Sequence, residues 1–135
     1  MTFAEKILGA PAGAIVFAHP DIILTHDNTA SIFKTFQKMG GVRVADPKQM
    51  LIVLDHNAPP ADSKLANQYQ EIRDIAASQG IKRFHDAGRG ICHQIMSYYA
   101  RPGMIIVGSE SHTSTAGAFN AFAAGIDRTE SAGIW

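Results

Sequence analysis

Met50-Leu51-Ile52-Val53-Leu54 is an unbroken apolar run, cut off by Asp55-His56-Asn57 and then by Pro59-Pro60. Successive side chains leave a strand on opposite faces, so a run without alternation predicts a strand covered on both sides. Its polar end puts an acid and an imidazole where that strand leaves the sheet. A second run, Met104-Ile105-Ile106-Val107-Gly108, opens after the turn Pro102-Gly103 and ends at Ser109-Glu110-Ser111-His112-Thr113. The two runs share one design: a buried strand that delivers acid and histidine at its far end.

The intervening segments read as helices. Ile32, Phe33, Phe36 and Met39 follow helical spacing after a cap at Asn28 or Thr29, and Gly40-Gly41 stops them. Leu65, Tyr69, Ile72, Ile75 and Ala76 predict a helix from Ser63 that Gly80 closes. Ile81 to Phe84 is a weaker strand, and the loop His85-Asp86-Ala87-Gly88-Arg89-Gly90 precedes a helix through Ile91, Ile95, Met96 and Tyr99, with His93 in its first turn. Upstream, Gly13 to Thr25 reads as extended, buried chain broken by a turn at Pro20, and Val42 to Val44 as a short β-branched stretch. Downstream, the small residues of Ala116 to Gly125 predict a close-packed helix. Strands alternating with helices imply an α/β fold, a largely parallel sheet sandwiched by helices, with residues 1–135 as a single domain.

Composition narrows the function. Acidic and basic residues balance at a net charge of zero, which disfavours a nucleic-acid partner. Nothing approaches the ~18–20 apolar residues of a membrane span, and the start Met1-Thr2-Phe3-Ala4-Glu5-Lys6 lacks the layout of a secretory signal, so a cytoplasmic location is expected. The single cysteine, Cys92, rules out an internal disulfide and a cysteine-based metal site within the chain. Cys92 itself is expected to be a small, semi-buried structural residue.

Six histidines are the chemical signal. A carboxylate beside an imidazole fixes its tautomer and can keep it protonated, which suits it to give a proton to a departing hydroxyl. His19 and His85 are expected to be structural. His26, His56, His93 and His112 fall at strand ends or helix starts, which in such sheets face one crevice. Neighbours on an extended chain point apart, so Asp55 and His56 need not touch. His93 and Glu110 could meet across the sheet edge. Spacing alone reaches a polar α/β site, with a histidine metalloenzyme or a hydrolase still open.

The blocks Gly90-Ile91-Cys92-His93-Gln94-Ile95-Met96 and Arg101-Pro102-Gly103 through Gly108-Ser109-Glu110-Ser111-His112-Thr113 resemble the aconitase superfamily. Asp55-His56-Asn57, His26-Asp27-Asn28-Thr29 and Gly125-Ile126-Asp127-Arg128-Thr129-Glu130-Ser131-Ala132 extend the resemblance over nearly the whole chain. It is greatest to the group of large subunits that dehydrate 3-isopropylmalate or 2,3-dimethylmalate. The resemblance implies a hydro-lyase acting on a 2-hydroxy dicarboxylic acid, with a [4Fe–4S] cluster in the complete enzyme and none bound by this chain alone. It implies catalytic roles for Asp55, His56, His93, Glu110 and His112, and substrate contact for His26 and Ser111. It also implies that the remaining large-subunit domains and a small swivelling subunit are partners, and that the isolated chain is inactive. Two departures stand out. Glu110 occupies a place where the family most often has Asp, so pairing with His93 requires local adjustment. The family's cluster cysteines and proton-abstracting serine belong to later sequence, which leaves a catalytically inactive binding or assembly module as the alternative.

Overall fold

A computed structural model describes residues 1–135. Five strands, β1 (Ile22–Thr25), β2 (Met50–Val53), β3 (Phe84–His85), β4 (Ile105–Gly108) and β5 (Phe122–Gly125), form one sheet in the order β3-β2-β1-β4-β5. Every neighbouring pair is parallel. Helices α1 (Phe3–Leu8), α2 (Thr29–Lys38), α3 (Ser63–Gln79), α4 (Cys92–Tyr99) and α5 (Arg128–Ile134), with a 3₁₀ segment Ser111–Phe119, fill the connections. The α/β fold with a parallel sheet is the one the sequence predicts.

The apolar run at residues 50–54 explains the layering. Met50, Ile52 and Leu54 join Ile23 in a cluster with Ile32, Phe36, Tyr69, Ile72 and Trp135, which belongs to α2, α3 and the end of α5. Leu51 and Val53 turn the other way and pack with Ile22, Leu24, Ile95, Met96 and Ala116 beneath α4 and the 3₁₀ segment. Both faces of β2 are therefore dry, and all its residues are buried. Helix ends follow local chemistry: Asp62 caps α3 by accepting from the Leu65 N–H, and Gly80 closes it in a left-handed conformation with φ 70°.

Three expectations need correction. In the segment Gly13 to Thr25, only Ile22–Thr25 is a strand, while Ile15 is 89% and Phe17 99% exposed. An apolar sequence records that a side chain is fit for burial, but here no element of the chain lies over it. Residues 42–44 form no strand, although Val44 is buried. Residues 116–125 are not one helix: the 3₁₀ segment stops at Asn120, in left-handed geometry with φ 59°, and the chain re-enters the sheet as β5. The smallness of those residues serves an edge strand instead. A Cβ on Gly125 would lie 2.9 Å from the Glu110 carbonyl oxygen, so only glycine lets β5 come this close.

Leu51 is wholly buried and Phe17 wholly exposed, so the two should respond oppositely to truncation. Leu51→Ala is expected to cost about 2–5 kcal/mol in denaturant unfolding. Replacing Ile15 and Phe17 together by Ser should leave the unfolding midpoint unchanged and reduce concentration-dependent self-association measured by light scattering.

Candidate functional site

The strand order reverses between β1 and β4, since β2 and β3 lie to one side of β1 and β4 and β5 to the other. Ligand crevices of parallel sheets form at the carboxyl ends of strands beside such a reversal. The ends of β2, β1 and β4 are adjacent there, and they carry Asp55-His56, His26-Asp27 and Ser109 to His112.

Helix α4 adds the fourth side of the site. Its first-turn backbone is held by Asp55, whose Oδ2 accepts from the Cys92 N–H at 2.6 Å. Asp55 Oδ1 lies 2.6 Å from His56 Nδ1. These neighbours, which strand geometry would not oblige to touch, do so for a local reason: β2 ends at Val53, and residues 55 and 56 lie in the turn beyond it, where strand alternation no longer applies.

Glu110 joins two histidines. Its Oε2 is 2.6 Å from His93 Nε2, and its Oε1 is 2.8 Å from His112 Nδ1. It also accepts from the His112 N–H at 2.7 Å and from the Ser111 hydroxyl at 3.1 Å. The longer side chain thus reaches His93 without loss of contact, because Glu110 caps the 3₁₀ segment and folds back on it. Burial works to raise the Glu110 pKa, but the hydrogen bonds from His112 and Ser111 and the nearby His93 outweigh it and hold it at about 2. Glu110 is a carboxylate throughout the useful pH range.

A cavity of about 290 Å³ is lined by Asp55, His56, Cys92, His93, Glu110 and His112, with Ile91 at its side. All five side chains assigned catalytic roles by resemblance therefore share one wall. Asp55 and Ile91 also border a larger, more apolar cavity of about 410 Å³ that continues over Leu54, Pro59 and Ala87. No lysine or arginine lines either one. Ser111 is exposed beside the smaller cavity and engaged with Glu110. His26 lies behind the wall: its ring stacks on His56 at 3.8 Å between centroids, 20° from parallel, and its Nδ1 is buried without a partner. Burial, and next the proximity of His56, lower the His26 pKa, which favours the neutral ring.

His19 is exposed, and His85 Nε2 sits 2.8 Å from the Tyr99 hydroxyl, outside the cavity lining, as the sequence leads one to expect. Asp27 carries more than its sequence context suggests. It is buried and accepts hydrogen bonds from Asn57 and Tyr69. Burial works to raise its pKa, but these bonds, with the His56 backbone N–H, leave it lowered. The one available signal was an acid two residues beyond a buried strand, a place where a buried carboxylate needs donors from neighbouring strands.

The donor set does not fit an iron–sulfur cluster held by this chain alone. Cys92 is the only thiol, it is 1% exposed, and burial together with Asp55 pushes its pKa up to about 12. Cluster iron is bound by thiolates. Three His and carboxylate or cysteine groups do bring possible ligand atoms within 4.8 Å of one another, among them His93, Glu110 and His112. Both Glu110 oxygens, however, already serve the two imidazoles.

Residues 4–135 match the family model described as "Aconitase family (aconitate hydratase)". The chain is 39% identical to the 3-isopropylmalate dehydratase large subunit 1 of Methanopyrus kandleri, over 99% of this chain and 34% of that protein. It is 38% identical to the methanogen homoaconitase large subunit of Methanocaldococcus jannaschii, over 100% of this chain and 34% of the relative. Identity to the 3-isopropylmalate dehydratase large subunit of Herpetosiphon aurantiacus is 39%, over 96% and 33% respectively. The chain thus spans about a third of the length of the curated relatives it matches. With a family match over nearly its whole length, the chain belongs to the aconitase family.

Proposed function

We propose that this chain is the amino-terminal part of a hydro-lyase large subunit. That subunit dehydrates a 2-hydroxy dicarboxylic acid, such as 3-isopropylmalate or 2,3-dimethylmalate, in the cytoplasm. The observation that carries this reading is the convergence of Asp55, His56, His93, Glu110 and His112 on one cavity from separate stretches of sequence. In the complete enzyme a [4Fe–4S] cluster, held by cysteines outside this chain, supplies Lewis-acid chemistry to the substrate hydroxyl and carboxylate.

The residues of the chain itself manage protons. With Nδ1 of His56 on Asp55, its Nε2 is the ring nitrogen left to give a proton to the departing hydroxyl. With Nδ1 of His112 on Glu110, Nε2 is again the free nitrogen, and it belongs to an exposed side chain. His93 presents Nε2 to the same carboxylate, so Glu110 holds both rings in register. Ser111 is assigned to substrate contact, and its hydroxyl, which donates to Glu110, would have to leave that bond to donate to the substrate. For His26 the geometry favours a role behind His56, restraining its ring, over direct substrate contact.

The lack of any lysine or arginine on the cavity walls supports the proposed partners. A doubly anionic substrate needs cationic groups, and the remaining large-subunit domains and a small swivelling subunit would supply them. No helix is long and apolar enough to cross a membrane.

The full-length polypeptide with its small subunit, given a panel of 2-hydroxy diacids, should form unsaturated product, and His56→Gln or His93→Gln should lower kcat by about 10²–10⁴-fold. Turnover absent on every diacid would favour the inactive module, and turnover unaffected by both substitutions would overturn the catalytic roles of His56 and His93. A second expectation follows from Glu110, whose pKa falls from 4.5 to about 2 on folding. A depressed carboxylate contributes stability that is complete above pH 4.5 and is lost as pH falls towards about 2. Denaturant titrations should therefore show Glu110→Gln destabilised at neutral pH, with the penalty shrinking across that window.

A further inference from the structure

Asp27 does not line the cavity, yet it grips the turn that builds it. Its Oδ1 accepts from the backbone N–H of Asp55 at 3.2 Å and of His56 at 3.4 Å. Its Oδ2 accepts from the Asn57 N–H at 2.7 Å, the Asn57 Nδ2 at 2.9 Å and the Tyr69 hydroxyl at 2.7 Å. Three consecutive amides and two side chains thus converge on one buried carboxylate. Those three amides belong to the turn that carries Asp55 and His56. Asp55 passes the restraint on through its bond from the Cys92 N–H, which sets the start of α4 and so the place of His93.

The next residue completes the arrangement on the other side. Asn28 Nδ2 donates to the Ser109 carbonyl at 2.9 Å, and the Ser109 hydroxyl donates to Asn28 Oδ1 at 3.1 Å. The turn after β1 therefore holds the ends of both neighbouring strands, β2 through Asp27 and β4 through Asn28. Only an acceptor on both heads serves at position 27. An amide of the same shape would turn a donor towards N–H groups, leaving buried donors unmatched.

Building on the dehydratase reading, we propose that Asp27 is a positioning residue for the reaction: it sets the place of the Asp55–His56 pair relative to His93, Glu110 and His112. Three of the five donors to Asp27 are backbone amides of the turn and none belongs to a strand, so its loss should loosen the turn more than the sheet. The energetic effect is felt in catalysis because displacement of a catalytic group by ~1 Å costs about 100-fold in rate.

The experiment uses the full-length polypeptide assembled with its small subunit, assayed with 3-isopropylmalate and 2,3-dimethylmalate. Asp27→Asn is expected to lower kcat per folded molecule by about 100-fold, with KM moving by less than about threefold. Amide exchange should accelerate at Asp55, His56, Asn57 and Cys92 while Ile23, Leu51 and Ile106 in the sheet keep their protection. Tyr69→Phe removes one donor and leaves the amides engaged, so kcat should fall about threefold to tenfold. The proposal is overturned if Asp27→Asn keeps its kcat, or if faster exchange is global and the activity lost equals the folded fraction lost. Should Asp27→Asn not fold, unchanged turnover and unchanged exchange at residues 55–57 in Tyr69→Phe overturn it equally. A parent enzyme inert towards every diacid would sink the dehydratase reading instead, and the exchange pattern would still decide whether Asp27 holds the turn.

Discussion

A polar rim on a dry sheet can be stable only if its backbone donors find acceptors, and in this chain one carboxylate answers for much of that demand. Asp27 sits at the end of the central strand, and the exit of β2 folds around it. The rim is reached from there in steps: one hydrogen bond to Asp55, a second to the start of α4, and a third that joins His93 to Glu110. Low dielectric makes such a network strong when satisfied and costly when incomplete. The cavity wall is thus an extension of the solution to a folding problem.

How much of this could be read from sequence depended on whether the signal was local. The run at 50–54 and the one ending at Gly108 predicted buried parallel strands because burial on both faces leaves no room for polar residues; both are parallel strands, β2 wholly buried and β4 with one face only half-buried. Helices α3 and α4 were legible for the same reason, through the spacing of Tyr69, Ile72 and Ile75 and of Ile95 and Met96. Ile15 and Phe17 misled because hydrophobicity is a property of the residue and burial a property of its surroundings. Small residues from 116 to 125 misled because Ala and Gly permit close approach in a helix or a strand alike, and Asn120 chose between them.

The site shows the same division. The common edge of a parallel sheet predicts that His26, His56, His93 and His112 converge; the last three line one cavity, and His26 lies behind it, stacked on His56. Which nitrogen faces which oxygen was not legible, since the Asp55–His56 contact depends on a turn and the Glu110 contacts on a 3₁₀ cap. Asp27 escaped notice as a site residue because its partners, Asn57 and Tyr69, lie 30 and 42 residues away along the chain. The stacking of His26 on His56 likewise joins strand ends that only the folded sheet makes neighbours.

The close seat of Gly125 against the Glu110 carbonyl has a reach beyond the sheet edge. The outermost strand behaves as a shim under the carboxylate that serves two imidazoles, so the thickness of that shim, a single hydrogen in place of a methyl group, calibrates how far the acid extends. Alanine there would lift the Glu110 backbone and detune both rings at once, though it touches neither.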